Sequence, residues 1–344
     1  MLKTLHFAKF NFTAHARDTI LLPPYKGSTF RGGFGNTFKR VVCIRSNKDC
    51  DTCLLRDRCI YLYIFETPPP AETAVMRKYE TAPHPFVIEP FEDTRTTFEP
   101  GESLSFGLVL IGKAIDHLPY FIYTFEELGN SGIGKGRGRY ILEDVSVAKE
   151  TPVSLWFTKG LESPLPLKGR ERVGMGLFSD ETAESVYSAT DKKLRGSIQP
   201  QRIPEHHGWN GRLITLSFLT PTRIVYEEHL TEKPEFHILI RSLLRRIAHL
   251  SYFHCGGDSS QFDFKGMIDR AMKVILKEEN LKWYDWERYS ARQDTRMKLG
   301  GFVGDITFEG DLGEFIPYIK AGEVVHIGKG TSFGLGKYSI QCRE

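Results

Sequence analysis

The sequence has 344 residues, 40% of them hydrophobic, and its 46 Lys and Arg against 43 Asp and Glu give a net charge of +3. This length suggests about two domains, and the composition excludes a disordered or collagen-like chain. No run of about 18 apolar residues is present to cross a membrane, and the N-terminus does not resemble a signal peptide. We therefore expect a soluble, cytoplasmic protein.

The basic residues are concentrated at the N-terminus. The first 48 residues hold nine Lys and Arg and one acid, Asp18. A charge block of this kind in a folded segment favours a polyanionic partner, although a solvated basic face has the same composition.

The first predicted elements are a strand over residues 3–16 and a helix over 28–42, whose Phe30, Phe34 and Phe38 share one face. Glycines at 32, 33 and 35 each cost such a helix about 1 kcal/mol relative to Ala. They indicate that another backbone, of protein or RNA, approaches the helix closely.

Four cysteines follow within 17 residues: Cys43, Cys50, Cys53 and Cys59. In a chain without an export signal, clustered cysteines with a C-x2-C pair predict a metal site rather than disulfides. Four thiolates can complete a tetrahedral shell around a structural zinc; an iron–sulfur cluster or an unmetallated loop are the alternatives.

An internal repeat appears when the chain is shifted by 198 residues. Identical residues then coincide at seven positions, among them Gly132 with Gly330, Gly136 with Gly334 and Tyr140 with Tyr338. Each copy is predicted as strand, helix, glycine-rich loop and strand, preceded by a further strand and helix.

The predicted fold class is therefore α+β, with tandem ferredoxin-like (RRM-like) β-α-β-β-α-β domains. The predicted boundaries are an N-terminal domain over 1–150 with the cysteine loop at 43–59, a linker or insertion over 151–205, and a C-terminal domain over 206–344 with a glycine-rich loop at 328–336.

The glycine-rich loops fit neither nucleotide-binding motif, because each lies between a helix and a strand and lacks the G-K-[ST] ending of a P-loop. Glycines interleaved with cations suit a phosphodiester backbone; tight turns are the alternative reading. The predicted RNA contacts near the first helix and the loops are Arg31, Lys39, Arg40, Lys135, Arg137, Arg139, Lys329, Gly330, Ser332, Gly334, Gly336 and Lys337. Arg292 is a further predicted RNA contact, because it lies in an aromatic and basic segment from Trp283 to Arg296.

These features resemble the CRISPR-associated RAMP-superfamily endoribonucleases that cut repeat RNA into guide RNAs, in particular the branch with a four-cysteine insertion. The resemblance rests on the segments 31–35, 63–67, 299–302 and 326–338. It implies metal-independent attack of a ribose 2′-OH on the adjacent phosphorus, which leaves a 2′,3′-cyclic phosphate and a 5′-OH. It also implies repeat RNA, and other CRISPR effector subunits, as partners, without a catalytic metal or nucleotide cofactor.

The family commonly uses a histidine near the first helix together with Tyr and Lys. This sequence departs from that pattern, because no histidine lies between residues 16 and 83. The resemblance leaves Tyr25 and Lys26 as candidates and points to His326, at the start of the second glycine-rich loop, as the catalytic histidine, with His15 and His254 as alternatives. A non-cleaving RNA-binding subunit and a zinc-stapled protein-interaction module are the competing functions.

Overall fold

A computed structural model describes most of the chain. The described residues are 1–44, 50–69, 73, 81–90, 95–148, 184–204, 211–285, 287–290, 295–298 and 300–343. Most of the predicted linker at 151–205 therefore lies outside them. Within the described part, no helix is long and apolar enough to span a membrane.

The first half contains two long helices and a main antiparallel sheet. Its elements are β1 (His6–Ala16), β2 (Ile20–Leu21), α1 (Gly27–Val42), β3 (Phe86–Pro90), β4 (Thr97–Phe98), β5 (Ser103–Ile111), α2 (Leu118–Ser131), β6 (Tyr140–Val147), β7 (Glu184–Ser188) and β8 (Gln201–Arg202).

The second half repeats this plan with three helices. Its elements are β9 (Leu213–Thr222), β10 (Ile224–Tyr226), β11 (His229–Thr231), α3 (Phe236–Cys255), α4 (Phe264–Ala271), β12 (Ile275–Tyr284), β13 (Glu287–Ser290), β14 (Thr295–Lys298), β15 (Gly301–Glu309), α5 (Ile316–Val325) and β16 (Tyr338–Arg343).

The strand orders confirm the tandem ferredoxin-like architecture. The main sheets run β3-β5-β1-β6-β7 and β12-β15-β9-β16. In each half, the first and third strands of a β-α-β-β-α-β unit are central and all pairs are antiparallel.

The internal repeat is equally clear in the structure. β5 and β15 begin and end 198 residues apart, and α2 and α5 begin at the same offset. Tyr140 and Tyr338, which begin β6 and β16, each donate a buried hydroxyl hydrogen bond to a helix carbonyl, of Phe125 at 2.8 Å and Ile319 at 2.5 Å. The same tyrosine therefore anchors the last strand to the second helix in both halves.

Two hydrophobic cores form, and the second extends across both halves. One core lies between the first sheet and helices α1 and α2 and includes Phe30, Phe34 and Phe38, all fully buried. The other joins α3 and α5 to the second sheet and also takes in Phe7 and Val109 of the first half. The halves are therefore packed together through apolar side chains.

Of the α1 glycines at positions 32, 33 and 35, two lie against protein atoms. A Cβ on Gly33 would lie 2.9 Å from the Leu128 side chain, and one on Gly35 would lie 2.0 Å from Phe65. At Gly32, in contrast, no atom lies within 4 Å.

We predict opposite effects for two Gly→Ala changes in α1. At Gly27, a Cβ would lie 1.9 Å from the carbonyl oxygen of Phe333 in the second half, so Gly27→Ala should lower the free energy of unfolding by about 1–3 kcal/mol. At the open position, Gly32→Ala should raise it by up to about 1 kcal/mol. Urea denaturation of both variants checks this, and equal effects would contradict the packing described.

Candidate nucleic-acid interface

The two glycine-rich loops span residues 132–138 and 328–336, and each lies against the strand-to-helix connection of its own half. In the first half, the backbone N–H of Lys135 donates to the carbonyl of Leu21 at 2.9 Å. In the second half, the backbone N–H of Lys329 donates to the carbonyl of Arg223 at 2.8 Å. The two repeats thus preserve one loop-to-backbone contact.

The loop glycines make these contacts possible. A Cβ on Gly134 would lie 2.1 Å from the Leu21 carbonyl oxygen, and one on Gly328 would lie 2.3 Å from that of Arg223. Both glycines have positive φ, 74° and 85°, which L side chains rarely adopt. At these positions the close approach is to this chain's own backbone.

The second loop also reaches across to the first half. The Tyr25 hydroxyl donates to the carbonyl of Phe333 at 2.8 Å. A Cβ on Gly334 would lie 2.5 Å from the Pro90 ring. The connection from β1 to α1 is therefore held between both glycine-rich loops.

The outer face of the first loop, by which we mean Lys135, Gly136 and Arg137, is exposed to solvent. No atom lies within 4 Å of a Cβ built on Gly136, and Arg137 has a positive φ of 54°. Lys329 on the second loop is exposed as well. Accessible cations beside an open backbone can contact phosphate groups.

Arg139, at the end of the first loop, is engaged by an acid. Its Nε donates to one oxygen of Asp18 at 2.7 Å, and a terminal nitrogen donates to the other at 3.2 Å. The hydrogen bonds from Arg139 lower the pKa of Asp18. Part of the positive charge of Arg139 is therefore already balanced.

Arg31 connects α1 to the second half. Its Nε donates to the Ser332 hydroxyl at 2.9 Å, and a terminal nitrogen lies 3.0 Å from Nε2 of His84. Its guanidinium carbon lies 4.4 Å and 4.5 Å from the ring centroids of Phe65 and Phe333. Arg31, a predicted RNA contact, thus stabilises the protein's own interdomain packing.

His84, which no local sequence motif marks, lies against Arg31 of α1 in the folded protein. Because Arg31 only donates, Nε2 of His84 accepts, and its Nδ1 is left to donate to the Thr67 hydroxyl at 2.6 Å. Burial, together with the charge of Arg31, lowers the pKa of His84 to about 3. The ring is therefore neutral at physiological pH.

His326 is completely buried between the two halves. Its Nε2 lies 2.8 Å from Oε1 of Glu89, and its Nδ1 lies 3.1 Å from the carbonyl oxygen of Leu335. Burial lowers the pKa of His326, and the Glu89 carboxylate opposes that change. Burial would raise the pKa of Glu89, but the charges of Lys337 and Lys9 with the His326 hydrogen bond outweigh it, so this pKa is lowered and the carboxylate is ionised.

Two of the predicted catalytic residues, Tyr25 and His326, contact the second loop through Phe333 and Leu335. Lys26 is 1% exposed and His326 is 0% exposed. Tyr25 is partly buried, and burial raises the pKa of its hydroxyl. Tyr25 thus holds the second loop against the start of α1, and His326 connects it to Glu89 on β3. The catalytic role of all three residues stays a prediction.

The other predicted RNA contacts are spread over several environments. Lys39 lies over the Tyr61 ring, Arg40 donates to Ser131, and the Lys337 ammonium lies 3.9 Å from Glu89. Ser332, Gly334 and Gly336 are buried, whereas Gly330 is partly exposed, and their contact with RNA stays a prediction. Trp283 and Tyr284 are exposed at the end of β12, and Arg292 lies outside the described residues.

The predicted zinc site is not supported by the structure. All four cysteines of the 43–59 loop are partly exposed, and among the described residues no three or more His, Cys, Asp or Glu side chains converge as metal ligands. The metal content of this loop stays a prediction from the cysteine spacing, and no step below depends on it.

Two family models match different parts of the chain. Residues 216–338 match the model of the CRISPR-associated endoribonuclease Cas6. Residues 5–163 match a family described only as an N-terminal domain. An uncharacterised protein of Archaeoglobus fulgidus is 30% identical over 129 residues, which are 37% of this chain and 42% of that protein. The match thus spans less than half of that relative.

Solved structures share the fold of the whole chain. A Cas6 product complex from Thermus thermophilus aligns with a TM-score of 0.52 at 15% identity, covering 98% of this chain and 99% of that one. A partial Cas6-RT-Cas1–Cas2 complex aligns with a TM-score of 0.51 at 11% identity, covering 98% of this chain and 46% of that one.

We predict that His84 makes stability pH-dependent. The unfolded chain binds a proton at this residue below pH ~6.5, whereas the folded protein binds it only near its lowered pKa of about 3. Stability should therefore fall from pH 6.5 to 5, and His84→Gln should reduce that slope by about 1.4 kcal/mol per pH unit. Thr67→Val, which keeps the imidazole, should lower stability without flattening the slope. Urea denaturation across this pH range measures both, and equal slopes for wild type and His84→Gln would contradict the prediction.

A double-mutant cycle tests the buried contact between Glu89 and His326. Removing one member of such a pair leaves the other buried without its partner. His326→Ala should therefore lower the free energy of unfolding by about 3–5 kcal/mol. The added loss from Glu89→Gln in the His326→Ala background should be smaller than the loss in wild type. Additive losses, measured by urea denaturation, would mean that the two side chains are not coupled.

Proposed function

We propose, from the membership of this chain in the CRISPR-associated Cas6 family of RAMP proteins, that it is an endoribonuclease that cleaves CRISPR repeat RNA into guide RNAs. The family model matched by residues 216–338 supports the class of activity. The observation that carries the proposal is the position of the β1–α1 connection between two glycine-rich loops, with exposed Lys135, Arg137 and Lys329 around it.

This surface suits RNA for physical reasons. RNA carries a negative charge on each phosphate, and Lys and Arg that contact phosphates supply much of its binding free energy. The outer face of the first loop adds an accessible glycine between two cations. Exposed Trp283 and Tyr284 offer rings on which unpaired bases could stack.

The proposed reaction is transesterification within the RNA. The ribose 2′-oxygen attacks the adjacent phosphorus and the bond to the 5′-oxygen breaks, which gives a 2′,3′-cyclic phosphate and a 5′-OH. This reaction needs a base for the 2′-OH, a proton for the leaving oxygen and cations near the phosphorane. We propose that the chain's own side chains supply these groups without a catalytic metal.

A non-cleaving RNA-binding subunit is the second candidate. The enclosure of His326, with a protein partner at each ring nitrogen, favours it. On this alternative, the same cationic surface would hold guide RNA, and other CRISPR effector subunits would be its partners.

Incubation of the purified protein with end-labelled repeat RNA in EDTA separates the candidates. Cleavage with 2′,3′-cyclic phosphate ends would support the metal-independent endoribonuclease. Cleavage that occurs only with added divalent metal would support a nuclease and reject the proposed chemistry. Specific binding without cleavage under either condition would favour the RNA-binding subunit, and absence of binding would reject both.

The first loop should contribute a measurable part of RNA affinity. Each phosphate contact to a single strand releases about 0.7 counterions, so Lys135→Ala with Arg137→Ala should reduce the salt dependence of log K by roughly 1.4. Lys265→Ala with Lys273→Ala removes equal charge from the exposed α4 region and should leave that slope unchanged. Filter binding between 50 and 200 mM salt checks this. Identical slopes for the two double variants would exclude the outer face of the first loop from the RNA path.

A further inference from the structure

A histidine and a carboxylate meet on the solvent-facing side of the first sheet. Nε2 of His15, near the end of β1, contacts Oε2 of Glu143 on the neighbouring strand β6. Their side chains are 39% and 55% exposed. A molecule in solution can therefore reach this pair.

The sheet geometry holds the pair in place. β1 is a central strand, and His15 is paired with Ser103 of β5 on one side and Ile141 of β6 on the other. The β1–β6 register shifts between Thr13 and Ala14, which pair with residues 144 and 142, so Glu143 is the extra residue of a β-bulge. Bulges re-aim side chains and recur beside active sites; here the bulged residue contacts the histidine.

The pair lies beside the proposed RNA surface. β6 begins immediately after the first glycine-rich loop, and the backbone N–H of Arg17, two residues beyond His15, donates to the carbonyl of Arg139 at 2.8 Å. The charged groups around the pair are Arg17 and the Arg139–Asp18 pair at the loop, Asp144 on β6, and Glu102 next to β5 with its partner Arg95.

His15 differs from the other histidines near the proposed site. His326 is fully buried, His84 accepts from Arg31, and His254 is 2% exposed with its Nε2 against the Pro83 carbonyl. At His15, a proton on Nε2 satisfies Glu143 and leaves a lone pair on Nδ1, for which no protein partner occurs among the described residues.

We infer that His15 is the proton-transfer residue of RNA cleavage and that Glu143 is its positioning residue. This inference rests on the proposed function. Nδ1 of His15 takes the proton of the ribose 2′-OH as that oxygen bonds to phosphorus. The bond from phosphorus to the 5′-oxygen breaks, and the leaving oxygen takes a proton from water. The Glu143 carboxylate stabilises the imidazolium formed, which then returns its proton to solvent.

Single-turnover cleavage of repeat RNA tests the assignment. His15→Ala and the closer isostere His15→Asn should each lower the rate by about 100-fold or more, with RNA affinity within two-fold of wild type and an unchanged melting temperature. Added imidazole should partly restore cleavage by His15→Ala. His229→Ala, which removes an exposed histidine from β11, is the matched control and should cleave like wild type.

The cleavage rates of Glu143 variants test its positioning role separately. Glu143→Gln should lower the cleavage rate about 10-fold while RNA affinity stays within two-fold of wild type, because the imidazole loses the carboxylate that orients it. The conservative change Glu143→Asp should keep more of the rate than Glu143→Gln. A surface ion pair without a catalytic role would leave the rate unchanged in both variants.

The outcomes separate this inference from the proposed function. An inactive wild type would overturn both. An active wild type with full activity in His15→Ala, or with a loss explained entirely by weaker RNA binding, would overturn the inference alone. An unchanged cleavage rate in Glu143→Gln would exclude the positioning role.

Discussion

The arrangement of the two halves depends on the backbone carbonyl of Phe333. This oxygen accepts the Tyr25 hydroxyl and lies where a Cβ of residue 27 would be. Helix α1 can therefore begin where it does because residue 27 is a glycine, and the second loop keeps its place because a tyrosine bonds to it. Arg31, one turn further along α1, extends the same contact to Ser332. A single loop of the second half thus fixes the entry of the first helix.

Much of the architecture follows from local sequence patterns. Helix α1 was predictable because Phe30, Phe34 and Phe38 recur every four residues, and the internal repeat because its glycines and tyrosines occupy positions with special backbone or packing needs. Strand β12 was not predictable from local patterns. It is an edge strand that is mostly exposed on both faces, so it lacks the alternation of apolar residues that marks a half-buried strand.

The candidate site was only partly predictable, because it is assembled from distant segments. The sequence shows that residues 33, 35 and 134 are glycines, but it does not show that Leu128, Phe65 and Leu21 are what approach them. A histidine beside the second glycine-rich loop suggests catalysis, yet its Nε2 is bonded to Glu89, 237 residues away. His84 reaches Arg31 across 53 residues. Local patterns identify these glycines and histidines as unusual, but only the tertiary fold determines which atoms contact them.

The equivalence of the two glycine-rich loops ends at their outer sides. Both keep the same inward hydrogen bond to a strand-to-helix connection, so the duplicated unit retains one internal geometry. In the second copy, Phe333 and Gly334 lie against the other half of the molecule. In the first copy, Lys135, Gly136 and Arg137 remain open to solvent. The second loop therefore connects the two halves of the protein through Phe333 and Gly334, whereas the outer face of the first loop is entirely accessible to solvent.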